Sequence, residues 1–127
     1  MSESVTVLSF TVPGPPVPQP RARVVQTGSG MVRAYDPERA RNYKRHVGIV
    51  ARGALSHLPY WSFEGQHALT VRVYRARRAG DLDNFVKGIS DALNGIAWED
   101  DSGVVELHAF MSDDSARPRV EVEVRCI

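Results

Sequence analysis

The chain has 127 residues, 43% of them apolar and 24% charged, which suits one soluble globular domain and excludes disorder as the dominant state. The single cysteine, Cys126, excludes an internal disulfide framework and a multi-cysteine zinc site, and no apolar run is long enough for a transmembrane helix. The net charge of +1 hides a split: Val17 to Arg78 carries twelve Arg/Lys against three acids, a balance of +9, and Ala79 to Ile127 carries four against eleven, a balance of −7.

Two readings of that split stand: a basic surface beside an acidic pocket, or two charge sets that neutralise each other in surface pairs. Fourteen of the sixteen basic residues are arginine, whose planar fork of donors matches phosphate, although a biased codon usage would give the same count. The opening Met1-Ser2-Glu3-Ser4 lacks the basic stretch of a signal peptide, so a reducing, cytoplasmic setting with no membrane partner is expected.

Residues 5–12 are β-branched and aromatic and predict a strand that Pro13 ends. Residues 13–20, with five prolines, form neither helix nor central strand and read as an ordered, extended arm. Residues 21–35 set Arg21, Arg23 and Arg33 around Gly28-Ser29-Gly30, a basic hairpin-like loop. Asp36-Pro37 is a helix start, and Tyr43, Val47, Val50, Ala54 and Leu58 follow at helical spacing up to Pro59. Residues 68–74 alternate as a half-buried strand, and Arg75, Arg77 and Arg78 follow in a loop.

A second helix is expected from Asp83, with Phe85, Ile89, Leu93 and Ile96 as its buried stripe and Asn94-Gly95 at its end. After a turn at 99–103, Val104–Met111 and Arg119–Cys126 alternate as strands, close enough in sequence for a hairpin. The order is β-α-β-α-β-β. It predicts a single-domain α/β sandwich over residues 1–127, a mixed four-stranded sheet with two main helices.

The acids of the second half suggest chemistry. Asp81-Leu82-Asp83 lies between the Arg-rich loop and the second helix, and in an extended segment two carboxylates one residue apart share a side. Mg²⁺ takes oxygen ligands and few of them from protein. Asp100 or Asp101 could add a third carboxylate, and Lys87 lies one helical turn after Asp83. Each part also has a plain reading: an N-cap at Asp83, a loop acid at Asp81, a solvated turn at 99–101, an i+4 partner at Lys87.

Taken together, Asp81-Leu82-Asp83-Asn84, Lys87, Asp91-Ala92-Leu93 and Trp98-Glu99-Asp100-Asp101-Ser102-Gly103-Val104 resemble the core of the RusA family of Holliday junction resolvases. Pro13-Gly14-Pro15, Pro18 and Arg21-Ala22-Arg23-Val24 are similar to the family's proline-basic opening, although Gln19 stands where a lysine often precedes the basic pair. Residues 46–79 match it only in expected architecture.

The resemblance implies a homodimeric, Mg²⁺-dependent endodeoxyribonuclease, with Mn²⁺ as an alternative ion, that cuts branched four-way junctions in paired symmetric nicks. Asp81, Asp83 and Asp101 become metal ligands and Lys87 a catalytic residue. Asp91 is outside the metal set or structural, and the role of Asp100 stays open. Candidate DNA contacts are Arg21, Arg23, Lys44, Arg45, Arg75, Arg77 and Arg78. The rival readings are a non-catalytic branched-DNA-binding module, a Mg²⁺ enzyme on nucleotides or flaps, and a structural domain with accidental acids. Trp98 is expected to pack at the helix–turn junction. Trp61 serves core, dimer contact or base stacking, and the four histidines are structural or surface residues.

Overall fold

The computed structural model describes residues 6–20, 23–28, 30–34 and 37–127. The strands are β1 (Val7–Pro13), β2 (Arg23–Thr27), β3 (Gly30–Ala34), β4 (His67–Arg75), β5 (Val104–Asp113) and β6 (Arg119–Cys126); the helices are α1 (Pro37–Leu55) and α2 (Leu82–Leu93). β1, β6, β4 and β5 form one four-stranded sheet in that order, mixed because β4 and β5 run parallel while the other pairs are antiparallel. β2 and β3 pair as a separate hairpin. The expected α/β sandwich is therefore present, and within the expected basic loop residues 23–27 and 30–34 pair as that hairpin. Asp36 and Arg21 lie outside the described residues, as does the side chain of Arg23.

The core lies between the helices and one face of the sheet. Leu8 and Val12 of β1, Leu69, Val71 and Val73 of β4, and Val120, Val122 and Val124 of β6 are buried in register. Against them α1 presents Val47 and Ala51, and α2 presents Phe85, Ile89 and Leu93. Two-residue alternation in the strands and 3.6-residue recurrence in the helices bring all these groups to one layer. α1 ends at Leu55, short of Pro59, and its last turn loosens through Ser56 N–H to Arg52 C=O at 3.0 Å and Leu58 N–H to Leu55 C=O at 3.0 Å. Among the described residues no helix is long and apolar enough to cross a membrane.

The expected hairpin of the last two strands is not formed. β4 stands between β5 and β6. The reason is burial: β4 is apolar enough to be covered on its core face and flanked on both edges, whereas β5 carries Glu106, His108, Ser112 and Asp113 and takes the edge. The link between β5 and β6 passes over the end of β4, where Asp114 N–H donates to Arg75 C=O at 2.9 Å. Arg119 secures the crossing. Its guanidinium lies 3.8 Å from the Tyr74 ring centre and reaches Asp114 and Glu121 at 3.1 and 3.0 Å.

The proline arm lies on α2. Gln19 N–H donates to Asn84 C=O at 2.9 Å, and a side-chain carbon on Gly88 would touch Gln19 N at 3.5 Å. The arm thus carries the chain from β1 across the start of α2 and into the basic hairpin.

Candidate active site

The parallel β4–α2–β5 unit makes the site. Gly80 takes a φ of +97°, which only glycine adopts without strain, and turns the chain into α2. Asp81 is the N-cap residue in an extended conformation; its C=O accepts from Asn84 N–H at 3.1 Å and Phe85 N–H at 3.2 Å, while its side chain makes no capping bond. Helix therefore begins at Leu82, one residue before the expected start. Asp81 thus keeps the extended conformation of the loop, and Asp83 lies in the first turn of the helix. Asp83 accepts Asn84 N–H at 3.0 Å and favours the positive end of the helix dipole.

A cleft of about 530 Å³ opens between α2 and the edge strand β5. Asp83, Lys87, Ser90 and Asp91 supply its polar wall from α2, Asp101 enters from the turn before β5, and Leu107 and Ala109 form its apolar floor. Helical spacing puts residues 83, 87 and 91 in one row. Leu107 is only half covered. Asp81 does not line the cleft. Among the described residues, no three Asp, Glu, His or Cys side chains stand close enough to hold one ion. The donors that share the cleft, Asp83 and Asp101, nevertheless suit a hard cation that takes one or two carboxylates and keeps its waters.

The Asp100-Asp101 pair divides its work. Asp100 caps the 3₁₀ turn Asp101–Gly103: its carboxylate accepts from Ser102 N–H at 2.7 Å and from the Ser102 hydroxyl. The Ser102 hydroxyl, then its N–H, hold the Asp100 carboxyl below the usual carboxylate range. Asp101, next in the chain, is left exposed on the cleft.

Lys87 pairs forward with Asp91 (3.9 Å), four residues on, and the same Asp91 oxygen lies 3.9 Å from Lys44 of α1. Of the other expected cation contacts, Arg45, Arg77 and Arg78 are exposed. Arg75 is braced by the protein: its side chain is 13% exposed, and it donates to Asp113 at 2.6 Å and to Gly80 C=O at 3.0 Å. A second groove beside the start of α2 is lined by Pro15, Pro16 and Pro18 with Arg39, Arg75 and Arg77. Arg39 was not singled out from sequence; its position off the apolar stripe of α1 was the available signal.

The aromatic residues support the site rather than join it. Trp98 is buried and its indole N–H donates to Asn94 at 2.7 Å, closing the α2 exit as expected. Trp61 stacks on the buried His67 and donates to Ala97 C=O at 2.8 Å, so it serves the core. His67 donates through Nε2 to Ser62 C=O at 2.7 Å and is structural.

Carboxylates and an ammonium group on one cleft, beside a trough of arginines, are the equipment of a protein that handles phosphodiesters. Comparison with known families narrows that class. The family model described as Endodeoxyribonuclease RusA matches residues 13–125, and the chain belongs to this family of DNA endonucleases. It is also 34% identical over 142 residues to an uncharacterized protein, YqaN, of Bacillus subtilis (strain 168), with 93% of this chain and 95% of that one covered.

Proposed function

We propose that the protein is a Mg²⁺-dependent, structure-selective endodeoxyribonuclease that resolves four-way junctions by paired, symmetric phosphodiester hydrolysis. The observation that carries this reading is the convergence of Asp83, Lys87, Asp91 and Asp101 on one cleft. Asp83 and Asp101, with Asp81 at the mouth of α2, would hold the ion. A bound Mg²⁺, or Mn²⁺, supplies an activated water and offsets charge developing on the phosphate.

The chain's own residues do the rest. Lys87 presents an ammonium group to the phosphate or to the leaving oxygen. Asp100 keeps the turn folded so that Asp101 faces the cleft. Arg45, Arg77 and Arg78 hold the DNA backbone, with Arg39 lining the adjoining groove and Arg21 and Arg23 following the proline arm.

A homodimer goes with two matched cuts in a nearly two-fold substrate. The free edge of β5, with Val105, Leu107 and Phe110 about half exposed, favours a second copy at that side of the cleft. A cytoplasmic setting goes with a DNA substrate.

Cleavage of a synthetic four-way junction tests the reading. Paired nicks that require both Mg²⁺ and Asp83, and vanish with chelator or Asp83→Asn, are expected. Tight junction binding with no cutting by the wild-type protein would leave a branched-DNA-binding module instead.

A further inference from the structure

The chain has sixteen basic residues and only two are lysines, Lys44 and Lys87. They are 43 positions apart in sequence and come from different helices. Both ammonium groups lie 3.9 Å from the same oxygen of Asp91. Random placement would rarely bring a chain's two lysines to one carboxylate among so many arginines.

Exposure separates the three roles. Lys87 is 61% exposed and lines the cleft, whereas Lys44 is 28% and Asp91 24% exposed. A solvated lysine samples many rotamers, and an exposed ion pair does little to choose among them. Asp91 is different because it is mostly covered and is also paired, through the same oxygen, with a cation of α1. With two ammonium groups and one carboxylate, the trio retains one positive charge on the cleft wall. Without the carboxylate, the two ammonium groups would repel each other and Lys87 would leave the row it shares with Asp83.

We infer that Asp91 is a positioning residue that holds the Lys87 ammonium group at the reacting phosphate, and that Lys44 anchors Asp91 rather than gripping DNA. This rests on the nuclease reading for what Lys87 does, but the shared carboxylate can be tested without it. Lysine also fits this place better than arginine. An ammonium group is a compact point charge with three rotatable donors, so it can face a carboxylate and a phosphate together without the planar register a guanidinium requires.

The test uses the scarcity of lysine. Reductive ¹³C-methylation gives one dimethyl-lysine signal for each of the two residues, assigned by Lys44→Arg and Lys87→Arg. Asp91→Asn should move both signals, and Glu106→Gln, on the other face of the sheet, should move neither. If only one signal moves, or none, the shared carboxylate is wrong, whatever the protein does to DNA.

Unmethylated protein is then assayed on a four-way junction. Asp91→Asn should slow single-turnover cleavage by about 10- to 100-fold, the scale of a small misplacement at a reacting centre. Junction Kd and Tm should hold, and Asp91→Glu should restore part of the rate. In a Lys87→Arg background Asp91→Asn should add little further loss; full additivity would mean that Asp91 does not act through Lys87. Lys44→Ala should slow cleavage in the same direction as Asp91→Asn. If it weakens junction binding and leaves the rate intact, Lys44 is a DNA contact and the anchor role is overturned. If Lys87→Ala cuts normally, the role of Lys87 in the nuclease reading falls, while the spectral result still decides the trio.

Discussion

The ring of Phe85 occupies the space that a side chain on Gly80 would need: a Cβ there would fall 2.6 Å from Phe85 Cζ, at a φ of +97°. The ring is buried and cannot move aside without opening the core under α2. Strain and overpacking act together, so Gly80→Ala should destabilise the protein by about 2–4 kcal/mol. Chemical denaturation measures this. Because Gly80 leads directly into Asp81 and Asp83, cleavage should fall more than the loss of folded protein explains.

Asp83→Asn and Asp101→Asn remove the two carboxylates that share the cleft while keeping their shape. Each should reduce cleavage by about 100-fold or more, the usual order for one group aimed at developing charge. Junction affinity should hold or rise, since each variant removes a negative charge facing DNA. Gel-shift in chelator, beside the cleavage assay, reads both effects. Normal cutting by either variant would remove that residue from the metal set.

Arg75 and Arg77 are neighbours in the chain and should behave differently. Arg75→Ala loses the bonds to Asp113 and Gly80 C=O and should lower stability by about 1–3 kcal/mol. Arg77→Ala should leave stability unchanged and weaken junction binding, with the slope of log K against log salt falling by about 0.9 for the lost phosphate contact. The pair of measurements separates a brace from a grip.

Asp100 predicts a pH effect of known sign. The Ser102 hydroxyl and N–H lower its carboxyl in the folded state. Its contribution to the turn is therefore full above the ordinary carboxylate range and is lost as pH falls through the lowered folded value. The protection of the Ser102 amide, its slowing of exchange relative to an unstructured amide at the same pH, should fall in that acid window in wild type. In Asp100→Ala it should be low throughout, with cleavage reduced because Asp101 loses its support.

His67 is fully buried between Trp61 and Trp98 and holds Ser62 C=O. His67→Ala opens a cavity between two indoles and leaves that carbonyl only the weak Cys126 thiol as a donor. It should cost about 2–5 kcal/mol, read from denaturation, with junction affinity per folded molecule unchanged.

Most elements could be read from local pattern because period-2 and period-3.6 burial are properties of short segments. The β4 alternation at 69, 71 and 73 and the α2 stripe through Phe85, Ile89 and Leu93 are of this kind. Proximity in sequence suggests a β5–β6 hairpin but says nothing about which strand is apolar enough to take the sheet centre, and β4 takes it. Sequence places the start of α2 at Asp83, whereas the helix begins at Leu82 with Asp81 as its extended N-cap residue; a boundary of one residue is not a property of the apolar stripe. Arg75 looked like its exposed neighbours, since its partners Asp113 and Gly80 come from separate segments.

The family was determined by sequence alone, because the Asp81-to-Val104 block is a compact, ordered pattern of side chains. So was the layer of each element, because burial periodicity is local. Tertiary structure decided what is shared across elements: that β4 parts the last two strands, that Asp83 and Asp101 meet one cleft, and that Lys44 and Lys87 converge on Asp91. Those relations depend on how α1, α2 and the sheet pack, and packing energy belongs to contacts between segments that no local pattern contains.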